Sequence, residues 1–245
     1  MRLDLYLTEN GLASTRSRAK LLIDGGSVFV NGISAEKAAY DVKDGDAVTV
    51  ENALRYVSRG GLKLEAALQR FSVSPAGVVA LDVGASSGGF TDCLLQNGAR
   101  FVYAVDSGSG QLAATLRGDP RVDCRENYNA RYMQASDFPT PPTLAVMDVS
   151  FISQTLILPA LAAVLPTGSR LISLVKPQFE VGRALVGRGG LVRDEKARQA
   201  AIARVKEAGI ACGFRFVGVM TSPITGGDGN IEYLICFEKS DEKKV

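Results

Sequence analysis

The sequence contains no histidine, and its four cysteines lie far apart. Without histidine it has no Ser-His-Asp or Cys-His nucleophile system, and it lacks the commonest metal ligand. No two cysteines form a C-x-x-C pair, which argues against a disulfide framework and against a tetrahedral zinc site. Any acid or base is therefore Asp, Glu, Lys, Tyr or Cys, no metal is expected, and a reducing cytoplasm fits the cysteine pattern.

The sequence also lacks a long apolar stretch and a large net charge. Its apolar stretch around Leu156 to Val164 is short and contains Pro159, so it is well below a membrane span. The N terminus lacks the basic and apolar pattern of a secretory leader, so we expect a soluble protein without a membrane partner. The net charge is only +2, and residues 1–60 hold as many basic as acidic side chains. Only local clusters of cations can therefore indicate nucleic acid.

The first part of the chain has the pattern of a small α+β module. In STRSRAKLLIDGG, Ser14 is a candidate helix cap and Gly25-Gly26 a candidate helix end. VFVNG predicts a strand that runs into a hairpin turn at Asn31-Gly32, and KDGDAVTV predicts another turn and strand. The stretch from Glu51 to Gly61 is a candidate connector. We expect one domain at residues 1–59 and a second at 60–245.

Beyond residue 60 the pattern alternates between apolar strands and helices. VVALDV, FVYAVD, TLAVMDV and RLISLVK are continuous apolar runs, which are typical of a parallel sheet covered on both faces. FRFVGVMTS and IEYLICFE, separated by PITGGDGN, are candidates for a closing antiparallel pair. The pattern predicts a doubly wound α/β domain.

A glycine-rich turn follows the first of these strands in LDVGASSGGFTD, with a helix expected from about Phe90. It fits neither the dinucleotide fingerprint nor a phosphate-binding P-loop, and a tight turn without a ligand is the alternative. Asp106 ends the next strand about 20 residues on, where a carboxylate accepts hydrogen bonds from ribose hydroxyls. A ribose acid without a pyrophosphate motif favours S-adenosylmethionine. From this motif we expect the following residues at the cofactor: Asp82, Gly84, Ala85, Ser86, Gly88, Gly89 and Phe90.

Two charged residues end later strands, Asp148 after TLAVM and Lys176 after LISLV. Ligands of open parallel sheets bind beyond the carboxyl ends of the strands, so both are candidates to face the cofactor's methyl group. The alternative is that strands simply emerge into solvent there. Lys63 and Glu232 lie in apolar stretches, and from the residues alone they are best interpreted as a snorkelling lysine and a strand-end surface glutamate.

Basic residues cluster in two places. Arg16, Arg18 and Lys20 lie within five residues of the predicted helix, which suits phosphate contacts, although a solvated helix face is the alternative. In EVGRALVGRGGLVR, Arg183, Arg188 and Arg193 stand among glycines, as in a mobile basic loop beside the active site or in a simple connection.

Several of these motifs resemble one family. GGLKLEAAL, LDVGASSGGFTD, MDVSFIS, LVKPQFEVG and GGLVRD resemble the TlyA family of ribosomal RNA methyltransferases, members of which are often labelled hemolysins. RLDLYL, GLASTRSRAKLLIDGGSVFVNG and GDAVTV are similar to the S4 RNA-binding domain. The resemblance implies a Rossmann-like methyltransferase domain of the RrmJ/FtsJ type, with a mostly parallel seven-stranded sheet, preceded by a small α+β S4-like domain.

The resemblance also implies a reaction and the residues that perform it. The expected reaction transfers a methyl group from S-adenosylmethionine to the 2′-hydroxyl of a cytidine in ribosomal RNA, within ribosomal subunits. The family's Lys-Asp-Lys-Glu tetrad falls on Lys63, Asp148, Lys176 and Glu232. We expect Lys176 to act as the base, or as a proton acceptor and positioning group, and Lys63 to tune it. Asp148 should lie near the methyl group, and Glu232 should orient a lysine and the ribose.

The match departs from the family in RENYNAR, where related sequences usually read like ERTNAR. Glu126 is kept as a cofactor residue, but the adenine-side contacts after it differ. The S4-like pattern starts at Arg2, as in the shorter family form that acts on the large ribosomal subunit alone. Three other functions remain open: a membrane-active hemolysin, an inactive RNA-binding ribosome assembly factor, and a small-molecule methyltransferase.

Overall fold

The computed structural model describes residues 1–24, 27–35, 37–50, 55–226 and 229–240, without the side chains of Leu21 and Asp24. Within it the chain divides into two compact units, Met1–Arg59 and Gly60–Val245. The candidate helix end at Gly25-Gly26 and the first residues of the candidate connector lie outside the described residues.

The first unit packs two helices on a small antiparallel sheet with strand order β2-β1-β3. Its core is apolar and includes Leu3, Leu7, Ile23 and Val28. The elements are α1 (Leu3–Glu9), α2 (Arg16–Asp24), β1 (Val28–Val30), β2 (Ile33–Ser34) and β3 (Val48–Val50).

Local residue chemistry accounts for the ends of these elements. Asn31 and Gly32 both have positive φ, 52° and 78°, as a two-residue hairpin turn requires, so the predicted turn is confirmed. The predicted cap at Ser14 is wrong, because the hydroxyl of Thr15 accepts the N–H of Arg18 at 3.1 Å. The sequence pattern had assigned no element to the first leucines. The structure shows a helix there, which buries Leu3 and Leu7 four residues apart on one face.

The second unit is a seven-stranded sheet in the order β6-β5-β4-β7-β8-β10-β9. Strands β4 to β8 pair in parallel, and β10 lies antiparallel between β8 and β9, as predicted for the last two strands. The strands are β4 (Val79–Val83), β5 (Phe101–Val105), β6 (Val122–Arg125), β7 (Leu144–Met147), β8 (Arg170–Val175), β9 (Phe214–Thr221) and β10 (Tyr233–Lys239).

Helices connect and cover these strands. They are α3 (Gly60–Arg70), α4 (Gly89–Gln96), α5 (Ala114–Arg117), α6 (Leu158–Val164), α7 (Pro177–Glu180) and α8 (Glu195–Ala211). Single turns of 3₁₀ helix occupy Ala130–Tyr132, Ala135–Asp137, Gln154–Leu156, Arg183–Leu185 and Arg188–Gly190. The predicted doubly wound α/β architecture is therefore confirmed.

The six apolar runs predicted as strands all form strands, whereas β6 had no apolar run to reveal it. Every residue of β4 and β7 is buried, but every residue of β6 is only half-buried because this strand lies at the edge of the sheet. Its sequence, VDCR, carries two charged residues. An edge strand of this kind leaves no continuous apolar signal in the sequence.

The strand order places the segments that follow β4, β7 and β8 and the segment that precedes β10 at one edge of the sheet. β5 and β7 flank β4 on opposite sides, so the connections reverse direction at β4, where a crevice forms beyond the carboxyl ends of the strands. Because β10 runs antiparallel to β8 and Tyr233 pairs with Val175, Glu232 before β10 and Lys176 after β8 lie at this same edge.

Candidate active site

A cavity of about 630 Å³ lies beyond the carboxyl ends of β4, β5 and β7. This volume is within the usual range for small-molecule sites, roughly 300 to 1,000 Å³. Its lining combines an apolar wall with carboxylates, hydroxyls and amides, and no lysine or arginine is found among the described residues that line it. The lining includes Val83, Gly84, Ser86, Val105, Asp106, Gly108, Gln111, Tyr128, Asn129, Asp148, Val149, Ser150, Phe151 and Ile152.

The glycine-rich turn brings β4 close to the segment after β7. Gly84 has φ +84°, and a Cβ built there would lie 2.3 Å from the carbonyl oxygen of Asp148. Gly88 has φ +94°, and a Cβ built there would lie 2.3 Å from Leu116 Cδ1. These glycines therefore allow close backbone packing, and Gly84 in particular sets Asp148 beside the turn.

Asp106 ties the turn to the loop after β5. Its two carboxylate oxygens accept the N–H groups of Ser86 at 2.8 Å and Gly108 at 2.7 Å. The Ser86 hydroxyl in turn donates to the side-chain oxygen of Gln111 at 3.0 Å. Asp106 is thus held rigidly at the cavity wall, with remaining lone pairs for hydroxyl donors of a ligand.

Of the ten residues expected at the cofactor, four line the cavity: Gly84, Ser86, Asp106 and Asp148. The remaining motif residues support the turn from behind. Phe90 is 3% exposed, and its ring packs in the protein interior. The cavity lining does not include Asp82, Ala85, Gly88, Gly89, Phe90 or Glu126.

Asp82 is a fully buried carboxyl group behind the turn. Its Oδ2 accepts the hydroxyl of Thr91 at 2.7 Å, while its Oδ1 accepts no hydrogen bond from the described residues. Burial raises the pKa of Asp82 to about 7, and the nearby negative charges of Asp148 and Asp106 act in the same direction. Asp82 therefore shapes the turn from inside the protein and does not itself face the cavity.

Glu126 stabilises the loop after β5 through hydrogen bonds. It accepts the N–H groups of Gly110 at 2.8 Å and Gln111 at 3.0 Å, and it forms an ion pair of 2.7 Å with Arg117. The hydrogen bond from Arg117 is the main reason why the pKa of Glu126 is lowered to about 2. The structure therefore gives Glu126 protein partners and does not place it in the cavity lining, so its role at the cofactor stays a prediction.

The four tetrad positions form two lysine–carboxylate pairs at this edge of the sheet. Lys176 Nζ lies 2.6 Å from Asp148 Oδ1 and donates to the hydroxyl of Ser150 at 2.9 Å. Asp148 Oδ1 is buried, and its contact with Lys176 is a close ion pair. Asp148 therefore brings to the cavity wall a carboxylate that is already paired with a lysine.

The second pair joins the first helix of the unit to the start of its last strand. Lys63 Nζ on α3 donates to Glu232 Oε2 at 2.5 Å. The two residues are 8% and 3% exposed, so the interpretation of both as surface side chains is wrong. A Cβ at Gly226 would lie 2.6 Å from Glu232 Oε1, which shows that the preceding loop closes tightly over this carboxylate.

Sequence reasoning missed several lining residues. Phe151 is 92% exposed at the cavity, with φ +64°, and its ring lies 5.2 Å from that of Phe179. Tyr128 donates its hydroxyl to Asp137 at 2.6 Å, and Asn129 follows it in the lining. The departure RENYNAR and the position of MDVSFIS directly after β7 were the available signals.

The predicted RNA-binding cations of the first unit differ in their surroundings. Arg16 donates to the buried carboxylate of Asp4 at 2.9 Å, and Arg18 donates to the carbonyl oxygens of Val57 at 3.0 Å and Tyr56 at 3.3 Å. Lys20 is exposed. Arg16 and Arg18 thus have structural partners in addition to any ligand they bind.

The arginine loop of the second unit is anchored close to Glu232. Asn230, which is 2% exposed, accepts the N–H of Val192 at 3.0 Å and donates to the carbonyl of Gly190 at 2.9 Å. The predicted RNA-binding side chains Arg183 and Arg188, and Arg193 near them, are exposed on this loop. The buried amide therefore fixes the base of a loop with an exposed cationic surface.

The lining fits S-adenosylmethionine, a positively charged nucleoside without phosphates. Asp106 suits the ribose hydroxyls, the carboxylate of Asp148 suits a cationic group, and the apolar wall suits a flat base. No basic side chain is present among the described lining residues to balance a phosphate. Within the described ranges no three His, Cys, Asp or Glu side chains cluster as metal ligands, and no helix is long and apolar enough to cross a membrane.

Comparison with known families assigns both parts of the chain. The profile of FtsJ-like methyltransferases matches residues 56–239, and that of the S4 domain matches residues 1–48. A Bacillus subtilis protein named as a candidate rRNA methyltransferase, YqxC, is 50% identical over 96% of this chain and 84% of its own length. The 16S/23S rRNA (cytidine-2′-O)-methyltransferase TlyA of Mycobacterium tuberculosis is 43% identical over 100% of this chain and 92% of its own length.

Among solved structures, one from Streptococcus thermophilus, described as a candidate hemolysin, is similar to this chain with a TM-score of 0.79. It is 46% identical, and the match covers 99% of this chain and 89% of that one. The family resemblance implied by the sequence motifs is therefore confirmed. The chain belongs to the family of FtsJ-like methyltransferases and carries an S4 domain ahead of its catalytic domain.

Proposed function

We propose that this protein is a ribosomal RNA methyltransferase that uses S-adenosylmethionine to methylate the 2′-hydroxyl of a cytidine ribose. One observation carries the proposal. The cavity is lined by carboxylates and, among its described lining residues, by no lysine or arginine that would bind a phosphate. Two lysine–carboxylate pairs lie at the same edge of the sheet, in a chain without histidine. The M. tuberculosis relative, aligned over the whole chain, is named for this reaction.

Asp106 and Asp148 are the residues that would hold the cofactor most directly. Asp106 accepts the ribose hydroxyls, and its bonds to Ser86 and Gly108 keep its carboxylate in place without a ligand. Asp148 adds a second carboxylate to the cavity lining. When bound, S-adenosylmethionine supplies a methyl group on a positively charged sulfur.

Lys176 handles the proton of the target hydroxyl. A ribose hydroxyl is a very weak acid, so its oxygen becomes a good nucleophile only as the proton leaves. The contacts of Lys176 with Asp148 and Ser150 hold its Nζ beside the cavity, where the amine accepts that proton after its own ammonium proton has been released to solvent. The buried Lys63–Glu232 pair, at the same edge of the sheet, orients the ribose.

Phe151 suits a nucleic-acid substrate. Its ring is almost fully exposed at the cavity, and an aromatic face of this kind stacks on an unstacked base. The ring of Phe179 lies beside it, with the ring centroids 5.2 Å apart. We propose that this ring supports the nucleotide whose ribose enters the site.

Recognition of ribosomal RNA is divided between the two units. The S4 domain supplies Lys20 with Arg16 and Arg18, and the loop anchored by Asn230 supplies Arg183 and Arg188. Both sets contact phosphates and so give affinity and register, not sequence readout. We propose that the RNA is bound within ribosomal subunits.

Labelled methyl transfer tests the function directly. The purified protein is incubated with S-[methyl-³H]adenosylmethionine and with ribosomal subunits from cells that lack the gene, and methylated riboses are then mapped by mass spectrometry. We expect stoichiometric label at a cytidine ribose of the ribosomal RNA. Label on a base would contradict the proposed reaction. Binding of subunits and cofactor without transfer would instead favour an assembly factor.

A further inference from the structure

A buried glutamate with no assigned role, Glu180, connects the two segments that carry Asp148 and Lys176. It ends α7, four residues after Lys176, and is 2% exposed. Its Oε2 accepts the hydroxyl of Ser153 at 2.6 Å, and its Oε1 accepts the N–H of Gln154 at 2.8 Å. Ser153 and Gln154 belong to the segment that leaves β7 through Asp148.

The same segment is bonded to β8 on the other side of Lys176. Gln154 is 2% exposed; its amide nitrogen donates to the carbonyl of Leu174 at 2.5 Å, and its amide oxygen accepts the hydroxyl of Ser173 at 2.6 Å. Ser173 and Leu174 precede Lys176, and Glu180 follows it. The backbone on both sides of Lys176 is therefore fixed to one short segment after Asp148.

A carboxylate in this place is costly for stability alone. Burial raises the pKa of Glu180, which means that burial disfavours its charged form, while the bonds from Ser153 and Gln154 offset part of that effect. Arg204 donates to the backbone carbonyl of Glu180 at 2.9 Å, so it does not form a hydrogen bond with the carboxylate there. An apolar side chain of similar size can stabilise a core as well as a buried ionisable group does, so we interpret this carboxyl group as one that fixes geometry.

The segment that Glu180 fixes contains the unusual turn of the site. Ser150 lies in this turn, and its hydroxyl accepts a hydrogen bond from Lys176. Phe151 follows it, with a φ of +64° that is rare for a bulky residue. A conformation of this kind persists only where surrounding contacts hold it. Hydrogen bonds from Ser153 and Gln154, at the end of the turn, to β8 and α7 provide such contacts.

We propose that Glu180 is a positioning residue for methyl transfer, which acts with Gln154 and Ser173 to fix the separation of Asp148 and Lys176. The proposal rests on the function proposed above. Methyl transfer needs in-line geometry, and a displacement of about 1 Å in such a site can cost roughly a hundredfold in rate. Glu180 contributes by geometry alone and does not contact the reacting atoms.

Single-turnover methyl transfer at saturating cofactor and RNA measures this role. We expect Glu180→Ala to lower the rate by roughly ten- to a hundredfold, with little change in the dissociation constant for S-adenosylmethionine. Glu180→Gln keeps an acceptor for the N–H of Gln154, so it should recover most of the loss. Ser173→Ala, which removes one bond of the network, should show a smaller loss in the same direction, and it provides the test where Glu180→Ala does not fold.

Two controls separate positioning from stability. Ser169→Ala removes a buried hydroxyl at the start of β8 that has no hydrogen-bond partner among the described residues. Leu161→Ala removes a fully buried core side chain of α6, away from the cavity lining. Both should keep the single-turnover rate at a temperature where they are folded, even where Leu161→Ala lowers the melting temperature as much as Glu180→Ala does.

Crystal structures of Glu180→Gln and Ser173→Ala add a measurement that does not depend on activity, and a longer Asp148–Lys176 contact is expected in Ser173→Ala. An unchanged rate in Glu180→Ala, or an equal rate loss in Leu161→Ala, would overturn the proposal while leaving the function intact. A wild-type protein that transfers no methyl group to RNA would instead overturn the proposed function.

Discussion

Lys63 and Glu232, which are 169 residues apart in sequence, form a buried ion pair at the edge of the catalytic sheet. Removal of one partner leaves the other as a buried, uncompensated charge. We expect Glu232→Gln to lower the free energy of unfolding by about 3 to 5 kcal/mol, as is typical for a broken buried pair. Urea denaturation measures this loss.

The double variant Lys63→Met/Glu232→Leu separates stability from activity. An apolar replacement of a buried pair is often neutral for stability, so the double variant should unfold near the wild-type midpoint. It should nevertheless transfer no methyl group, because the ribose is no longer oriented. Substantial activity in this stable double variant would show that the pair is only structural.

Lys176 allows charge and proton acceptance to be tested separately, because arginine keeps the charge but does not deprotonate in proteins. We expect Lys176→Arg to be nearly as inactive as Lys176→Ala, with a rate lowered by roughly a hundredfold to ten-thousandfold. Single-turnover kinetics check this, and a Lys176→Arg variant with most of the wild-type rate would leave Lys176 as a positioning group only.

Asp106 is expected to carry much of the cofactor affinity. Asp106→Ala removes the acceptor for the ribose hydroxyls, which should weaken binding by roughly 1 to 3 kcal/mol if those hydroxyls are buried without a partner. Isothermal titration calorimetry measures the dissociation constant. The matched control is Asp119→Ala, which removes a carboxylate that pairs with Arg121 outside the cavity lining. Equal affinity in the two variants would remove Asp106 from the cofactor site.

Asp82 predicts a pH dependence of stability. Its folded pKa of about 7 is above the usual value of about 3.9, so between these values the folded state holds a proton that the unfolded state has lost. The free energy of unfolding should therefore fall as pH rises from about 4 to 7, by up to roughly 4 kcal/mol from this group. Asp82→Asn should flatten the curve over this range. A wild-type curve without this decline would show that Asp82 stays ionised when folded.

The arginine loop should govern the salt dependence of RNA binding. Replacement of Arg183 and Arg188 by alanine is expected to weaken binding and to reduce the slope against log salt by about 1 for each lost phosphate contact. Cofactor affinity should not change. Arg100→Ala, at an exposed arginine outside this loop, is the control. If the slope of RNA binding against log salt fell equally in Arg100→Ala, the loop would have no specific role in RNA binding.

The sequence by itself determined the two-part organisation, the doubly wound fold and the nature of the cofactor. Continuous apolar runs predict buried parallel strands because such strands face helices on both sides, and Gly84 and Asp106 follow these strands at readable spacing. Half-buried β6 carried no such signal. The helix α1 was missed as well, because its leucines alternate as a strand's would.

Only the tertiary structure decided which side chains act together. From the residues alone Lys63 and Glu232 were best explained as surface side chains, and it is the antiparallel pairing of β10 with β8 that brings Glu232 to the edge where Lys176 stands. The structure also separated Ser86 and Asp106, which line the cavity, from Asp82 and Phe90, which support the turn from inside. A sequence motif records spacing along the chain, whereas the direction of a side chain and its distant partners depend on how the strands are ordered and packed.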